Sequence, residues 1–421
     1  MKKTLVLVLF AILAVSLLCP SALAQSHEVT EPVSIEFWHA LSNADLLNAL
    51  IDEFEEQNPL ITVDPIYQGD WTDINAKLSA AIAGGDGSQL PAVITLNPSY
   101  LGTFADGGMI ASLEEYIADD QFALDEFSTG LVNTFTWNGV TYGLPYLNSC
   151  LVIYYNTEMA EAEGLEIPEL WTDMNAFMEK ATTEEHKAMG MHAGGVWYFQ
   201  PFFTNRAAVF GTDEAPTAEL DNPLCVEIAT DLQRWYQEGK MDYFYGSSAG
   251  ADGRAAFAEG KLFCYVQSSA IHTNLQAMCD FEVAMTWPVG GERGRYSYVG
   301  GQGIGLVAGV SEAQRDAGWQ LIQYLTSPEV NIALAEETGY LPTRTTILET
   351  EAGQAYVASR PAYLPVIEML DNVECQPRYN NAVTTNDIWR AEMSRAIIEG
   401  GDMQAVMESI AEQMQEIIAD N

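Results

Sequence analysis

Aromatic side chains stand beside hydrogen-bonding groups at three places near the start of this sequence. Trp38 and His39 end a first short apolar run, and Tyr67 ends a second. Trp71 follows that second run closely, and Asn97 follows a third. Rings offer flat apolar faces to the C–H groups of a sugar or polyol, while amides, imidazoles and hydroxyls exchange hydrogen bonds with its hydroxyl groups. We therefore expect these five residues to line a binding site for a small polar solute.

The sequence carries no recognisable catalytic motif. It has no nucleophile elbow and no His-Glu-x-x-His pair, and the spacing of its histidines and cysteines does not resemble a zinc site. We expect no catalytic residue, no metal and no cofactor. Two other classes stay open: a secreted carbohydrate-active enzyme, since two of the 59 acidic residues could stand at glycosidase distance, and a scaffold with no ligand.

The elements around these residues follow the pattern of a parallel sheet. Val33–His39, Ile61–Tyr67 and Pro91–Leu96 are predicted strands, with helices predicted at Ser42–Gln57 and Ile74–Ala83. Strands joined through helices in this order form an α/β unit, whose ligands bind beyond the carboxyl ends of the strands. The sheet would therefore bring the five residues to one edge.

A longer apolar stretch, Tyr142–Asn156, lies about a third of the way along the chain. Residues 150–155 form an almost uninterrupted apolar run rich in β-branched and aromatic side chains, which predicts a strand buried on both faces. We expect it to carry the chain from a first α/β lobe, past a ligand cleft, into a second lobe. Asn148 and Ser149 would then face the cleft.

Length and charge restrict the class of partner. At 421 residues the chain is long enough for two domains with full cores. It holds 18 Lys and Arg against 59 Asp and Glu, a formal net charge of −41. Because nucleic acids and anionic membranes are bound by clustered Lys and Arg, we expect neither as a partner.

Residues 1–24 are predicted to be a secretory signal peptide. Two lysines precede the apolar run Leu5–Leu18, and a small-x-small cleavage site ends at Ala24. The mature protein would be exported to the periplasm or the extracellular space. A lipid anchor at Cys19 is the alternative, but a leucine stands where such signals carry a small residue.

The cysteines beyond the signal peptide are odd in number, which indicates no disulfide framework. Cys150 and Cys264 lie in apolar runs and are interpreted as small buried hydrophobes. The pairing of any bridge is left open among Cys150, Cys225, Cys264, Cys279 and Cys375.

Seven segments along the chain occur in an order typical of one known family. They are Phe37–Ala40, Phe54–Pro59, Leu144–Asn156, Phe257–Ser269, Val299–Val307, Leu325–Glu329 and Thr338–Arg344. Together they make the chain resemble the substrate-binding proteins of ABC transporters, in the extracellular solute-binding family of maltose-type and glycerol-3-phosphate-type proteins. The segment TGYLPTR, with Phe-Trp-His near the start, most resembles the glycerol-3-phosphate-binding branch.

The resemblance implies a two-lobed α/β fold of the type 2 periplasmic-binding-protein class. Each lobe would be a mainly parallel sheet flanked by helices, and three segments would form the hinge between them. Residues 30–147 and 301–340 would form the N-terminal lobe, and residues 148–300 and 341–421 the C-terminal lobe. The protein would act as a monomer that captures a small polar solute and delivers it to the transmembrane permease subunits of an ABC importer.

The resemblance also implies ligand contacts, carried over only where this sequence matches the family. Arg378 would form a fork for a phosphate or carboxylate, with hydroxyl and backbone donors around it. The matching positions are Tyr67, Ser149, Trp197, Ser269, Gly301, Tyr340 and Arg378.

One position departs from the family pattern and leaves the ligand open. The carboxylate that grips glycerol in the family should fall close to Asn97 and Pro98, and neither residue is acidic. Glycerol-3-phosphate or a glycerophosphodiester is one candidate. The other is an uncharged oligosaccharide or polyol, held by Asn97, Trp38, Trp71 and Trp197.

Overall fold

The computed structural model of the chain describes residues 27–42, 44–85, 90–212, 215–379 and 381–419. The predicted signal peptide, with its cleavage site at Ala24 and the alternative lipid anchor at Cys19, lies outside the described residues. Within them, Cys150, Cys225, Cys264 and Cys279 are free thiols.

Strands and helices alternate between Val33 and Leu96 and follow a less regular order later in the described chain. The strands are β1 (Val33–His39), β2 (Ile61–Tyr67), β3 (Val93–Leu96), β4 (Thr136–Trp137), β5 (Val140–Thr141), β6 (Leu144–Asn156), β7 (Lys187–His192), β8 (Met241–Phe244), β9 (Leu262–Ser268), β10 (Val283–Thr286), β11 (Ser297–Leu306) and β12 (Val373–Glu374). The helices are α1 (Ala44–Gln57), α2 (Trp71–Gly84), α3 (Leu101–Asp106), α4 (Glu114–Asp119), α5 (Thr129–Thr134), α6 (Thr157–Glu163), α7 (Trp171–Lys180), α8 (Gln200–Thr204), α9 (Pro223–Gln237), α10 (Ala249–Ala258), α11 (His272–Met278), α12 (Glu312–Leu325), α13 (Pro328–Thr338), α14 (Glu351–Ser359), α15 (Leu364–Ile367), α16 (Ala382–Glu399) and α17 (Met403–Ala419).

The main sheet has two parallel groups of strands joined by long antiparallel strands. Its order is β2-β1-β3-β11-β6-β9-β7-β8, with β10 also paired to β6 and β12 to β11. β1 pairs in parallel with β2 and β3, and β7 pairs in parallel with β8 and β9. The pairs of β11 with β3, β11 with β6, and β6 with β9 are antiparallel. The fold is therefore a two-lobed α/β fold in which β6 and β11 pass between the lobes.

The predicted strand–helix–strand pattern of the first lobe is confirmed. The apolar stripe of α1 places Leu47, Ile51 and Phe54 in the core that also holds β1 and β3. Full burial of each such side chain stabilises the fold by roughly 1.5–3 kcal/mol relative to exposure.

The second helix begins earlier than the sequence pattern predicts. The prediction started it at Ile74, whereas α2 starts at Trp71. Asp70 caps the helix: its carboxylate accepts the backbone N–H of Asp73, and the Asp73 side chain accepts the N–H of Asp70 in return. Such a capping box satisfies backbone donors at the helix start, so the extra turn is stable and holds Trp71 at the first helical position.

Strand β6 is the crossing element that the apolar run predicted. All but one of its thirteen residues are buried, and a strand of that length spans about 43 Å. Leu144 packs in the first-lobe core, whereas Leu151 and Ile153 pack in the second-lobe core. The segment that the resemblance implies as a third crossing lies beside it, because the N–H of Leu341 donates to the carbonyl of Asn148 at 2.7 Å.

A third hydrophobic core lies around the crossing strands. It joins Val152 of β6 to Leu131 of α5, Ile332 of α13 and Leu370. Residues assigned by resemblance to different lobes thus share one core near the hinge. The lobe boundaries at 30–147, 148–300, 301–340 and 341–421 stay a prediction.

Candidate functional site

A cavity of about 290 Å³ lies between the two lobes, over the crossing strands. We call it the main chamber. Its walls come from the first lobe, from the crossings and from the second lobe. Among the described residues they are Trp71, Asn97, Pro98, Ser99, Ser149, Trp197, Tyr198, Ser268, Ala270, Val299, Gly300, Gly301, Tyr340, Cys375 and Gln376.

A second cavity of about 250 Å³ adjoins the main chamber and shares Trp71 and Tyr340 with it. We call it the side chamber. The two shared aromatic residues therefore stand between the chambers. The other described residues that line it are Ala40, Leu41, Ser42, Gln302, Glu337 and Thr338.

The two cleft tryptophans are oriented by hydrogen bonds to β11. The indole N–H of Trp71 donates to Oε1 of Gln302 at 2.9 Å. The indole N–H of Trp197 donates to the carbonyl of Val299, also at 2.9 Å. Each ring edge is thus tied to a crossing strand, and the rings are held as walls of the cleft.

Two consecutive glycines let the tryptophan and the crossing strands approach closely. A Cβ atom on Gly300 would lie 2.7 Å from Oγ of Ser149 and 3.0 Å from the Trp197 ring. Gly301 has φ +83°, and its Cβ would lie 2.0 Å from the carbonyl oxygen of Leu147. Only glycine fits at position 301, because that left-handed backbone and that contact both exclude a side chain.

The polar groups that line the main chamber can form hydrogen bonds with a hydroxyl-bearing solute. Asn97 accepts the N–H of Ser99 at 3.0 Å through Oδ1, and among the described residues its amide donors have no partner. Gln376 donates to Oε1 of Gln200 at 2.9 Å. Burial raises the pKa of the Tyr340 phenol, so its hydroxyl stays protonated and can donate a hydrogen bond at neutral pH.

Six of the twelve predicted ligand residues line a chamber. Ser149, Trp197, Gly301, Tyr340, Trp71 and Asn97 meet there, although they come from distant parts of the sequence. The other six, Trp38, His39, Tyr67, Asn148, Ser269 and Arg378, lie outside the lining of both chambers.

The three residues predicted at the ends of β1 and β2 line neither chamber, because two are buried and one is exposed on an edge strand. Trp38 is buried and donates its indole N–H to Glu36 at 2.9 Å. His39 is also buried, and this burial lowers the pKa of its imidazole to about 4. Tyr67 ends an edge strand and is 53% exposed. Trp38 and His39 are covered because β1 is flanked by β2 and β3 and packs into the first-lobe core.

Asn148 and Ser269 support the chamber from below. The Asn148 side chain accepts the N–H of Tyr146 at 3.2 Å and donates to the carbonyl of Gly300 at 3.3 Å. Oγ of Ser269 accepts the N–H of Cys150 at 3.1 Å. Both side chains are fully buried, so they fix the crossing strands under the cleft.

Arg378 contacts backbone rather than either chamber. Its Nη1 atom donates to the carbonyls of Thr134 and Thr136 at 2.9 and 3.0 Å, and its guanidinium lies 5.5 Å from the centre of the Trp137 ring. It lines a third cavity of about 450 Å³, which meets the main chamber at Cys375 and Gln376. The sequence could not reveal this arrangement, because the carbonyls come from a segment more than 240 residues away.

Sequence reasoning missed Ser99, Tyr198, Ser268, Cys375 and Gln376 as parts of the main chamber. Tyr198 and Ser268 adjoin the predicted Trp197 and Ser269, so a shift of one residue would have found them. Gln376 stands in a loop without periodicity, and nothing in the local pattern marks it.

The described residues that line the two chambers include an acidic side chain and no basic one. Among the described residues that line them, Glu337 is the one charged side chain, and no Lys, Arg or His is present. The described residues contain no group of three or more His, Cys, Asp or Glu side chains placed to hold a metal ion. No helix within the described ranges is long and apolar enough to cross a membrane.

Both the sequence and the fold of this chain are similar to those of known proteins. The profile of a family described as bacterial extracellular solute-binding proteins matches residues 49–362. The sn-glycerol-3-phosphate-binding periplasmic protein UgpB of Rhizobium meliloti is 22% identical over 420 residues, covering 94% of this chain and 95% of that protein. UgpB of Brucella abortus is 22% identical over 370 residues, covering 83% of this chain and 84% of that protein.

Two solved structures share the fold over nearly the whole chain. The crystal structure of UgpB from Mycobacterium tuberculosis in complex with glycerophosphocholine has a TM-score of 0.77 and 20% identity, covering 92% of this chain and 98% of that one. The sugar-binding protein MalE from Xanthomonas citri has a TM-score of 0.81 and 19% identity, with the same coverage.

Proposed function

The chain belongs to the bacterial extracellular solute-binding proteins, and from this premise we propose that it binds a small hydroxyl-bearing solute between its lobes for an ABC importer. The exported protein would present the closed, loaded form to the transmembrane permease subunits. We propose that it works as a monomer, with no cofactor and no chemical conversion of the solute.

One observation carries the proposal: the main chamber takes its walls from both lobes. Trp71 and Asn97 come from the first lobe, and Trp197, Ser268 and Gln376 from the second. A solute that touches both walls binds the closed form more tightly than the open form, and it shifts the population toward closure by that difference in affinity. Hinge closure of this kind around a ligand is a recurrent switching mechanism.

The chamber favours a neutral solute over a phosphate monoester. A doubly charged phosphate is usually held by arginine or lysine. Among the described residues neither lines the two chambers, whereas Arg293 and Arg378 line the third cavity that meets the main chamber at Cys375 and Gln376. The net charge of −41 also repels an anion. We therefore place a sugar, a polyol or a diester with a hydroxyl-rich end before glycerol-3-phosphate itself, although some relatives carry that name.

A solute panel tests the proposal on the mature chain. Thermal unfolding would be followed with glycerol-3-phosphate, glycerophosphodiesters and neutral mono- and oligosaccharides. A specific solute at one hundred times its Kd should stabilise the protein by about 2.7 kcal/mol, and small-angle scattering should show a more compact particle. The proposal is wrong if no solute changes stability or shape, or if the bound solute is recovered chemically altered.

Variants of Trp197 locate the binding event in the main chamber. We expect Trp197→Ala to weaken the stabilising solute at least tenfold, because truncation removes an aromatic face from a desolvated wall. Trp197→Phe keeps a ring and loses only the N–H bond to Val299, so its loss should be smaller. Calorimetry giving equal affinities for wild type and both variants would move the site elsewhere.

A further inference from the structure

Two residues, Cys375 and Gln376, lie where the main chamber meets the third cavity. We call this junction the passage. The main chamber holds about 290 Å³, which is at the lower end of the volumes of ligand sites, and the third cavity adds about 450 Å³ beyond the passage. A solute that is longer than the main chamber therefore meets the side chains at this junction.

The side-chain amide of Gln376 is held at the passage by a second amide. Its Nε2 atom donates to Oε1 of Gln200 at 2.9 Å. Among the described residues, the Oε1 atom of Gln376 has no hydrogen-bond partner. Because Gln376 lines both cavities and its nitrogen is engaged by Gln200, its carbonyl oxygen is the acceptor that it can offer to a solute.

Gln200 is fully buried and yet carries an unpaired donor. Its side chain is closed to solvent, and within the described ranges its Nε2 atom has no hydrogen-bond partner. A buried amide nitrogen without a partner costs stability, so packing alone does not account for a glutamine at this position. The Oε1 and Nε2 atoms of one amide share a carbon, so the unpaired N–H groups lie beside the bond to Gln376.

The segments that carry the two amides are fixed on both sides. Before Gln376, strand β12 pairs with β11. After it, the guanidinium of Arg378 donates to backbone carbonyls at the end of α5 and in β4. Gln200 begins α8, two residues after Tyr198 in the wall of the main chamber. Groups that are held in place before binding lose little freedom when a solute arrives.

We propose that Gln376 is a specificity-determining residue that hydrogen-bonds a hydroxyl group of the solute at the passage, and that Gln200 is the positioning residue behind it. This inference rests on the proposed function and deepens it. A hydroxyl group both donates and accepts, so it can donate to Oε1 of Gln376 while it accepts an N–H of the amide pair. The preferred solute extends from the main chamber to the passage and carries a hydroxyl group at that end.

Single variants measure the contribution of each amide. The probe is the solute of the panel that gives the largest rise in unfolding temperature, with its Kd measured by calorimetry. Gln376→Met keeps the shape of the side chain and removes its polar atoms, so it should raise the Kd about fivefold to tenfold, as expected for a lost hydrogen bond. Gln200→Met should raise the Kd about threefold. Gln200→Glu, kept neutral by burial, still accepts from Gln376 and should bind within twofold of the wild type.

A double variant distinguishes positioning from a general structural effect. If Gln200 acts through Gln376, the variant with both methionines should bind as Gln376→Met does, because no amide is left to orient. Independent effects that multiply in the double variant would overturn the positioning role. Gln233→Met is the control: Gln233 donates to the carbonyl of Ala396 at 2.9 Å and lines none of the three cavities. This variant should lose stability with an unchanged Kd.

Analogues of the probe that each lack one hydroxyl group test the specificity directly. One analogue should bind the wild type about fivefold to tenfold more weakly than the probe does, yet bind Gln376→Met as well as the probe does, which identifies the hydroxyl group at the passage. If every analogue loses the same factor in the wild type and in Gln376→Met, Gln376 does not read a hydroxyl group and the inference is wrong.

The outcomes separate this inference from the proposed function. A solute that closes the protein and binds wild type and Gln376→Met with equal Kd would leave the importer function standing and remove Gln376 from the site. If no solute of the panel stabilises the wild type, the proposed function is refuted and this inference falls with it.

Discussion

The residues of the cleft divide into those that can meet a solute and those that hold the cleft in shape. Trp71 and Trp197 use their N–H groups for the crossing strand and present their rings to the cavity. Asn148 and Ser269 form hydrogen bonds with backbone groups of the crossing strands beneath the cleft. Residues of similar polarity thus have different roles, because burial decides whether a polar group faces solute or backbone.

Arg378 can be tested directly, because the sequence resemblance implies a phosphate contact whereas the structure shows contacts with backbone carbonyls. Its guanidinium donates to backbone carbonyls beside Trp137, and hydrogen bonds from charged groups contribute roughly 1.5–3 kcal/mol to stability. We expect Arg378→Ala to lower the free energy of unfolding in denaturant by about that amount, while the affinity for a neutral solute changes less than threefold.

Arg378→Lys is the control, since it keeps the charge but loses the planar fork, and it should recover only part of the stability. Calorimetry decides between the two roles. If stability is unchanged in Arg378→Ala but a phosphorylated solute loses its affinity, then Arg378 is the phosphate fork that the sequence resemblance implied.

Among the elements, β6 and β11 organise the cleft. They pair along residues 144–150 and 299–304, with an irregularity between Gln302 and Gly303. The irregularity falls beside Gly301, whose backbone is left-handed. Bulges of this kind bend a strand and redirect its side chains, so the crossing strands can turn from one lobe toward the other beside the main chamber.

Gly301→Ala tests this element. The alanine Cβ would meet the carbonyl oxygen of Leu147 at 2.0 Å in an unfavourable backbone conformation, and we expect a loss of about 2–4 kcal/mol in unfolding free energy. Gly84→Ala, at the end of α2 with nothing within 4 Å of its Cβ, should be neutral or slightly stabilising. Equal chemical denaturation midpoints for the two variants would contradict the strain at Gly301.

Two buried histidines should make the folded protein less stable in acid. Burial lowers the pKa of His39 to about 4, and burial with the nearby Arg254 lowers that of His192 to about 4. Between pH 6.5 and pH 4 the unfolded chain therefore binds protons that the folded chain does not. The contribution of these histidines to stability is fully present above pH 6.5 and is lost as the pH falls toward 4. For a fully buried histidine the loss is roughly 3 kcal/mol.

Denaturant unfolding at constant ionic strength from pH 7 to pH 4 measures this effect. His39→Gln cannot titrate, so its stability should fall less steeply over that window than that of the wild type, while carboxylate titration affects both proteins alike. Because His39 lies outside both chambers, solute affinity at pH 7 should be unchanged in this variant. Parallel stability curves would show that His39 does not contribute.

Sequence alone was enough to predict the order of strands and helices in the first lobe, the buried crossing strand and the family. These follow from periodicity and local composition, which act over a few residues, and from motifs whose order spans the chain. Strand ends indicated Trp71 and Asn97, and the crossing strand indicated Ser149, because ligands bind at the carboxyl edge of such a sheet. The family resemblance indicated Trp197, Gly301 and Tyr340, and all six line the main chamber.

Which neighbours of those residues face the chamber depends on long-range packing. Trp38 and His39 stand at a strand end as predicted, yet the flanking strands and the first-lobe core cover them. Ser268, rather than Ser269, lines the chamber, because β9 ends at Ser268 and the hydroxyl of Ser269 accepts the N–H of Cys150 instead. Arg378 and Glu337 acquire their surroundings from segments remote in sequence, and such long-range contacts leave no trace in local pattern.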